Sequence, residues 1–212
     1  MAILTALFLG LLIGAQHAFE PDHLAAVGTI VSRDSHPKSA AIKGAWWGLG
    51  HGAAIALIGL PLILMGLELP ASLESMGEFL VAIMLVGLGV RAIWRAYRWT
   101  TSREQEPKHR KVDSTLPVGL VHGMAGSGAA VVLATTQAPG EYIALLFLVI
   151  FVLGSTLGMT LTAMLLTLPL SWFKERTEHA LRFVTGVSGI ISLCVGFVWG
   201  APTVLGWFTV AS

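Results

Sequence analysis

Two imidazoles and two carboxylates fall within seven residues near the start of this chain, in His17-Ala18-Phe19-Glu20-Pro21-Asp22-His23, and the sequence on either side is apolar. One Asp at the centre of a membrane helix costs about 2.5–3.5 kcal/mol on insertion scales, so this cluster calls for a bound cation, protonation or a water-filled path. On a regular helix His17 and Glu20 share a face at i, i+3, whereas Asp22 and His23 point elsewhere. Pro21 removes the amide that would bond the carbonyl of His17, which kinks or unwinds the helix and allows all four side chains to turn toward one centre. In a bilayer such a break must face protein or water. Mixed imidazole and carboxylate ligation with no cysteine suits a borderline divalent ion such as Ni²⁺, Co²⁺ or Zn²⁺ and argues against Cu⁺. An all-oxygen calcium or magnesium site is disfavoured too.

Two further histidines lie between small residues, His51 in Gly48-Leu-Gly-His51-Gly52 and His122 in Gly119-Leu-Val-His122-Gly123. Small residues let helices approach closely, which places both imidazoles at helix crossings. At ~1.5 Å per residue from the nearest cytoplasmic charge, His23, His51 and His122 all fall near the middle of a ~30 Å apolar core. Ser127, between two glycines, offers a hydroxyl to the same site or serves packing.

The elements that must position these residues are membrane helices. The chain has 212 residues, 55% of them hydrophobic and only 12% charged, against about 25% charged in soluble domains; its mean hydropathy is +0.77. Charge-free runs cover 1–19, 44–67, 117–140, 142–173 and 183–212, each near or above the ~18–20 residues that span a bilayer. The expected fold is an all-α membrane protein with six helices at 2–32, 40–67, 76–99, 116–138, 142–170 and 182–209, the first interrupted at Glu20-Pro21-Asp22. Residues 1–19 carry no Lys or Arg, so they read as a true first helix and not as a cleaved signal peptide. A net charge of +1 gives no sign of a nucleic-acid partner, and a lone Cys194 leaves no intrachain disulfide or dithiol relay.

All 13 basic residues lie around the first, third and fifth loops, while the second carries Glu68, Glu74 and Glu78 and the fourth Glu141. The positive-inside rule then puts the odd loops in the cytoplasm and both termini outside it, in a multi-pass protein whose compact chain and strict basic bias fit a bacterial or archaeal inner membrane, with an organelle as the alternative. Trp46, Trp47, Trp94, Trp99, Trp172 and Trp207 read as an interfacial belt. The two halves match weakly at an offset of 105 residues, with Gly14, His17 and Val27 falling on Gly119, His122 and Val132. Two three-helix repeats, 1–99 and 116–212, joined by a cytoplasmic linker at 100–115, must run in opposite senses because three is odd. Inverted repeats with midplane sites on interrupted helices recur among transporters.

These motifs resemble a known family. His17-x4-Asp22-His23 is similar to the HxxxxDH signature of the nickel/cobalt transporter (NicO/NiCoT) superfamily, and Leu49-Gly50-His51-Gly52 resembles its second-helix LGH(S/T) element. His122-Gly-x-x-Gly126-Ser127-Gly128-Ala129 is similar to the second-half element of the short branch, whose members are often named as urease-accessory or high-affinity nickel-transport proteins. The resemblance implies metal selection and passage through His17, Asp22, His23 and His51, with Glu20, His122 and Ser127 as further metal-site or supporting residues. Glu20-Pro21 stands where many members have Asp-Ala, and the 100–115 loop holds only His109 in place of the histidine-rich tract of exporters, which leans toward uptake.

The expected function is therefore a permease for a divalent transition metal, nickel or cobalt, with the ion as transported substrate and no permanently bound cofactor. The expected partners are that ion and the lipid bilayer, with a homo-oligomer left open. No GxxxxGK(S/T) phosphate loop is present, so ion gradients or a separate subunit would supply energy. The rivals are an intramembrane metal-dependent enzyme, against which the HExxH motif is absent, and a membrane partner of a metalloenzyme maturation system.

Overall fold

The computed structural model describes residues 2–32, 34, 36–98, 115–138, 140–172 and 178–210. Most of the 100–115 linker, with His109, lies outside them. The described residues form seven helices and no strand: α1 (Ala2–His17), α2 (Pro21–Val31), α3 (Pro37–Met65), α4 (Ala71–Tyr97), α5 (Leu116–Gln137), α6 (Glu141–Trp172) and α7 (Glu178–Val210). Five of them, α3 to α7, are long and apolar enough to cross a membrane, and α1 with α2 makes a sixth if that bent pair counts as one span. The chain is an all-α membrane protein.

The break between α1 and α2 turns the chain by 58° and falls slightly earlier than the sequence implies. Phe19 N–H donates to the Gln16 carbonyl and Glu20 N–H to that of His17, closing α1 in a tight turn. Pro21 then opens α2, and Asp22 and His23 are already helical. Proline suits a first helical position because its missing amide would have no partner there. Pro37 opens α3 in the same way and Pro70 precedes α4, which is why both helices start a few residues before the apolar pattern suggests. Gly66, at φ 62°, ends α3, with its own amide bonded to Ile63 and the Leu67 amide to the Leu62 carbonyl. That double closure with a left-handed residue satisfies the last carbonyls.

The largest contacts join α4 to α7, α3 to α6, α3 to α5 and α1 to α6, so the two halves interlock and each covers the other's apolar faces. Glycines set the closeness at the central crossing. A Cβ on Gly119 would strike the Trp47 carbonyl, and one on Gly123 the His51 carbonyl. Large apolar side chains such as Leu57, Leu153, Phe183 and Phe197 remain exposed on the outer faces, as a lipid-facing surface requires.

Inside, one apolar cluster gathers Ile55, Val131, Phe147 and Phe151, and a second gathers Val27, Trp47, Leu85 and Met159. His51 sits one helical turn from Trp47 and one turn from Ile55. The polar residues of the next section therefore occupy the seam between two apolar cores.

Candidate metal centre

Four histidines and one aspartate from four helices converge at this seam. The bend after α1 lets His17, at the end of one helix, meet His23, in the first turn of the next, with ring centroids 4.4 Å apart. α3 adds His51, 5.0 Å from His23 and 5.3 Å from His17. α5 adds His122, 4.2 Å from His23. His23, His51 and His122 are at most 1% exposed and Asp22 5%.

The carboxylates set which nitrogens are available. Asp22 Oδ1 accepts from His23 Nδ1 at 3.0 Å and Oδ2 from His122 Nε2 at 2.8 Å, so both of its oxygens are engaged by imidazoles. A ring that donates through one nitrogen presents a lone pair on the other. His23 Nε2 and His122 Nδ1 have no partner among the described residues. Glu20, half exposed, accepts from His17 Nδ1 at 2.8 Å and leaves His17 Nε2 facing His51 Nε2 at 3.3 Å. That spacing is roughly what two nitrogens adopt when bound at ~2.0–2.1 Å to one tetrahedral metal. Carboxylates that hold the far nitrogen of a metal-binding histidine are a recurrent support for such sites.

Two sets of donor atoms each lie within 4.8 Å of one another: His17, His23 and His51, and Asp22, His23 and His122. His23 belongs to both. Buried imidazole nitrogens without partners cost about 1–3 kcal/mol each, and His23 Nε2, His51 Nδ1 and His122 Nδ1 all fall in this class. A divalent cation held by imidazole satisfies a nitrogen such as His23 Nε2 and balances the two carboxylates.

The centre opens into a cavity of about 610 Å³ lined by His17, Glu20, Asp22, His23 and His122, and further out by Glu74 and Glu78 of α4. His51 lies behind this wall, fully buried. At the other end of the bundle a much smaller cavity, about 80 Å³, is lined by Lys43, Arg91, Arg95 and the hydroxyls of Thr29, Ser32, Thr115 and Thr185.

The structure thus brings together His17, Glu20, Asp22, His23, His51 and His122. It does not bring in Ser127, whose hydroxyl donates to the Met124 carbonyl at 2.9 Å within its own helix. Thr156 is equally structural, donating to Val152 and Gly48 carbonyls. Trp47 corrects the interfacial reading: it is fully buried, with its ring 5.7 Å from His23 and 5.6 Å from His122. Its neighbour Trp46 is only partly buried, and one position separates the helix face at the crossing from the outer one. In the sequence Glu74 and Glu78 read only as acidic charges around the second loop, because the expected helix began at 76; α4 starts at Ala71 and so carries both, at i, i+4, into the cavity wall.

No family model matches the chain, and no solved structure matches it. Among curated proteins, "Chloroplast protein FOR GROWTH AND FERTILITY 1" of Arabidopsis thaliana is 28% identical over 91% of this chain, and the protein numbered 2 of the same name is 25% identical over 92%. The chain spans only 58% and 55% of those two relatives' lengths. "Urease accessory protein UreH" of Bacillus sp. (strain TB-90) is 32% identical over 198 residues, which cover 87% of this chain and 86% of that protein. With that identity running through nearly the whole of both, the chain belongs to the UreH family of urease accessory proteins.

Proposed function

We propose that this protein is a membrane permease for a divalent transition-metal cation, Ni²⁺ or Co²⁺, taken up toward the cytoplasm. The observation that carries the reading is the imidazole cluster at the inner end of a large cavity, with three ring nitrogens that have no partner among the described residues and two carboxylates orienting the rings. Histidine nitrogens select borderline ions over calcium and magnesium. The name of the Bacillus relative agrees with the short branch of the nickel/cobalt transporter superfamily that the first-helix and second-helix motifs resemble.

In this reading His17, His23 and His51 hold the ion through nitrogen, Glu20 and Asp22 fix the rings, and His122 with Asp22 offers a neighbouring position through the shared His23. The six spans form two interlocked inverted repeats, supported by the pairing of α1 with α6 and of α5 with α3 at equivalent places in the two halves. The acidic mouth faces outward and the basic end faces the cytoplasm, in keeping with the positive-inside rule. A membrane potential suffices as driving force, since a dication gains about 4.6 kcal/mol per 100 mV.

Ni²⁺ uptake into proteoliposomes under an inside-negative potential tests this, with wild type beside His23→Ala. Wild-type uptake that is lost in a folded variant is the expected result. Failure of wild type with Ni²⁺, Co²⁺, Zn²⁺ and Mn²⁺ alike overturns the reading in favour of a non-transporting partner of urease maturation, the role the word "accessory" in the relative's name favours.

A further inference from the structure

We infer that Glu74 and Glu78 of α4, together with Glu20, form an outer cation site that captures a hydrated divalent metal ion before it reaches the histidines. The inference rests on the permease reading and extends it to residues outside the family-like motifs. All three carboxylates line the same cavity of about 610 Å³, and no Lys or Arg is among the described residues of its wall. Glu74 and Glu78 stand at i, i+4, where like charges repel, and among the described residues neither pairs with a basic side chain.

Packing holds both in place. Thr203 of α7 donates its hydroxyl to Glu78 Oε2 at 3.2 Å. Glu74 lies against α5 at Gly128, where a Cβ would come within 3.0 Å of Glu74 Oε1. A second sign of a ligand lies deeper in the same cavity: His23 and His122, each 1% exposed, line it and carry ring nitrogens with no partner among the described residues. A cation must cross the acidic zone to reach them from that side.

The chemistry is graded along the path. Carboxylate oxygens suit an ion that keeps part of its water, and imidazoles suit one that has lost it. A cleft of one charge sign with low-dielectric walls also concentrates counter-ions and raises their entry rate, by an amount that falls steeply with ionic strength. Glu74 belongs to the first turn of α4, where the helix dipole stabilises its charge; Glu78, one turn further in, has no such support and relies on Thr203 and a cation.

The test compares wild type, Glu74→Gln/Glu78→Gln and His23→Ala in two measurements: initial Ni²⁺ uptake into proteoliposomes at low and high ionic strength, and equilibrium Ni²⁺ binding to the purified full chain. The double variant should raise KM roughly tenfold, with the maximal rate changed by less than about threefold, and should flatten the salt dependence of KM. It should also lose the weaker class of bound Ni²⁺ while keeping the tighter one, whereas His23→Ala should do the reverse. Glu74→Gln alone, on the first turn, serves if the double variant does not fold. Wild-type transport with KM, salt dependence and weak binding unchanged in the glutamine variants overturns the outer site and leaves the permease standing. A wild type that binds Ni²⁺ weakly through Glu74 and Glu78 but transports none overturns the permease reading and keeps the cation site; a wild type that does neither overturns both.

Discussion

His122 Nε2 lies 2.8 Å from Asp22 Oδ2, joining α5 to α2 across one hundred residues of sequence. The other oxygen of the same carboxylate holds His23 at 3.0 Å. One side chain therefore fixes the orientation of two rings in the centre. Asp22→Asn keeps the shape, removes the charge and turns one acceptor into a donor. Loss of such a support weakens metal binding by about 10–100-fold, and that is the expected fall in Ni²⁺ affinity by equilibrium dialysis, with helical content retained. An unchanged affinity would show that Asp22 does not set the rings.

The closeness of α3 to α5 rests on Gly123, whose replacement would drive a Cβ into the His51 carbonyl and to 2.9 Å from the Ala54 side chain. Overpacking of this kind costs about 1–3 kcal/mol. Gly123→Ala should lower the thermal unfolding midpoint in detergent and weaken Ni²⁺ binding together, because it displaces the backbone that carries His51. Gly87→Ala, with nothing within 4 Å of the new Cβ, should do neither.

The sequence makes this centre legible to the degree that cost reveals it. Buried charge is expensive in a bilayer, so His17, Asp22 and His23 stand out against their apolar surroundings, and small residues around His51 and His122 mark helix crossings. What cost does not reveal is direction. Ser127 and His122 share the same small-residue stretch, yet only His122 reaches the seam, because a rotation of five residues around α5 turns Ser127 to its own Met124 carbonyl. Trp46 and Trp47 are alike in type and adjacent in sequence, and only helix phase decides that Trp47 is enclosed. The interruption at Glu20-Pro21-Asp22 is legible because proline kinks or unwinds a helix interior; that α2 begins at Pro21 itself follows from proline's fit to a first helical position.

Asp34, 7% exposed, receives Lys43 Nζ on both oxygens at 2.8 Å and the Ser39 hydroxyl at 3.0 Å. Thr115 at the start of α5 donates to the Lys43 carbonyl at 3.2 Å, so this knot ties α5 to the start of α3. Removing one partner of a buried pair costs about 3–5 kcal/mol, and about 2–3 kcal/mol is expected here because water reaches the lysine. Lys43→Met should lower thermal stability by that amount, and adding Asp34→Asn should recover most of it. If Lys43→Met alone leaves the unfolding midpoint in place, the pair contributes nothing to stability.

Trp47 gives the centre an optical reporter. Its ring stands 5.7 Å from His23 and 5.6 Å from His122, beside the one histidine that both donor sets share, and Nε1 has no partner among the described residues. Ni²⁺ and Co²⁺ have partly filled d shells and quench a nearby excited indole, whereas Zn²⁺ has a filled shell and lacks that route. Titration with Ni²⁺ should quench a part of the emission of the seven tryptophans, with the same midpoint as direct binding. Zn²⁺ should compete for the site with little quenching of its own. Trp47→Phe should abolish the saturable quenching while Ni²⁺ still binds, since phenylalanine fills most of the volume and removes a donor that has no partner. Quenching that persists in Trp47→Phe would place the bound ion nearer to another tryptophan, such as Trp199 in the wall of the same cavity, and away from the Trp47 side of the centre.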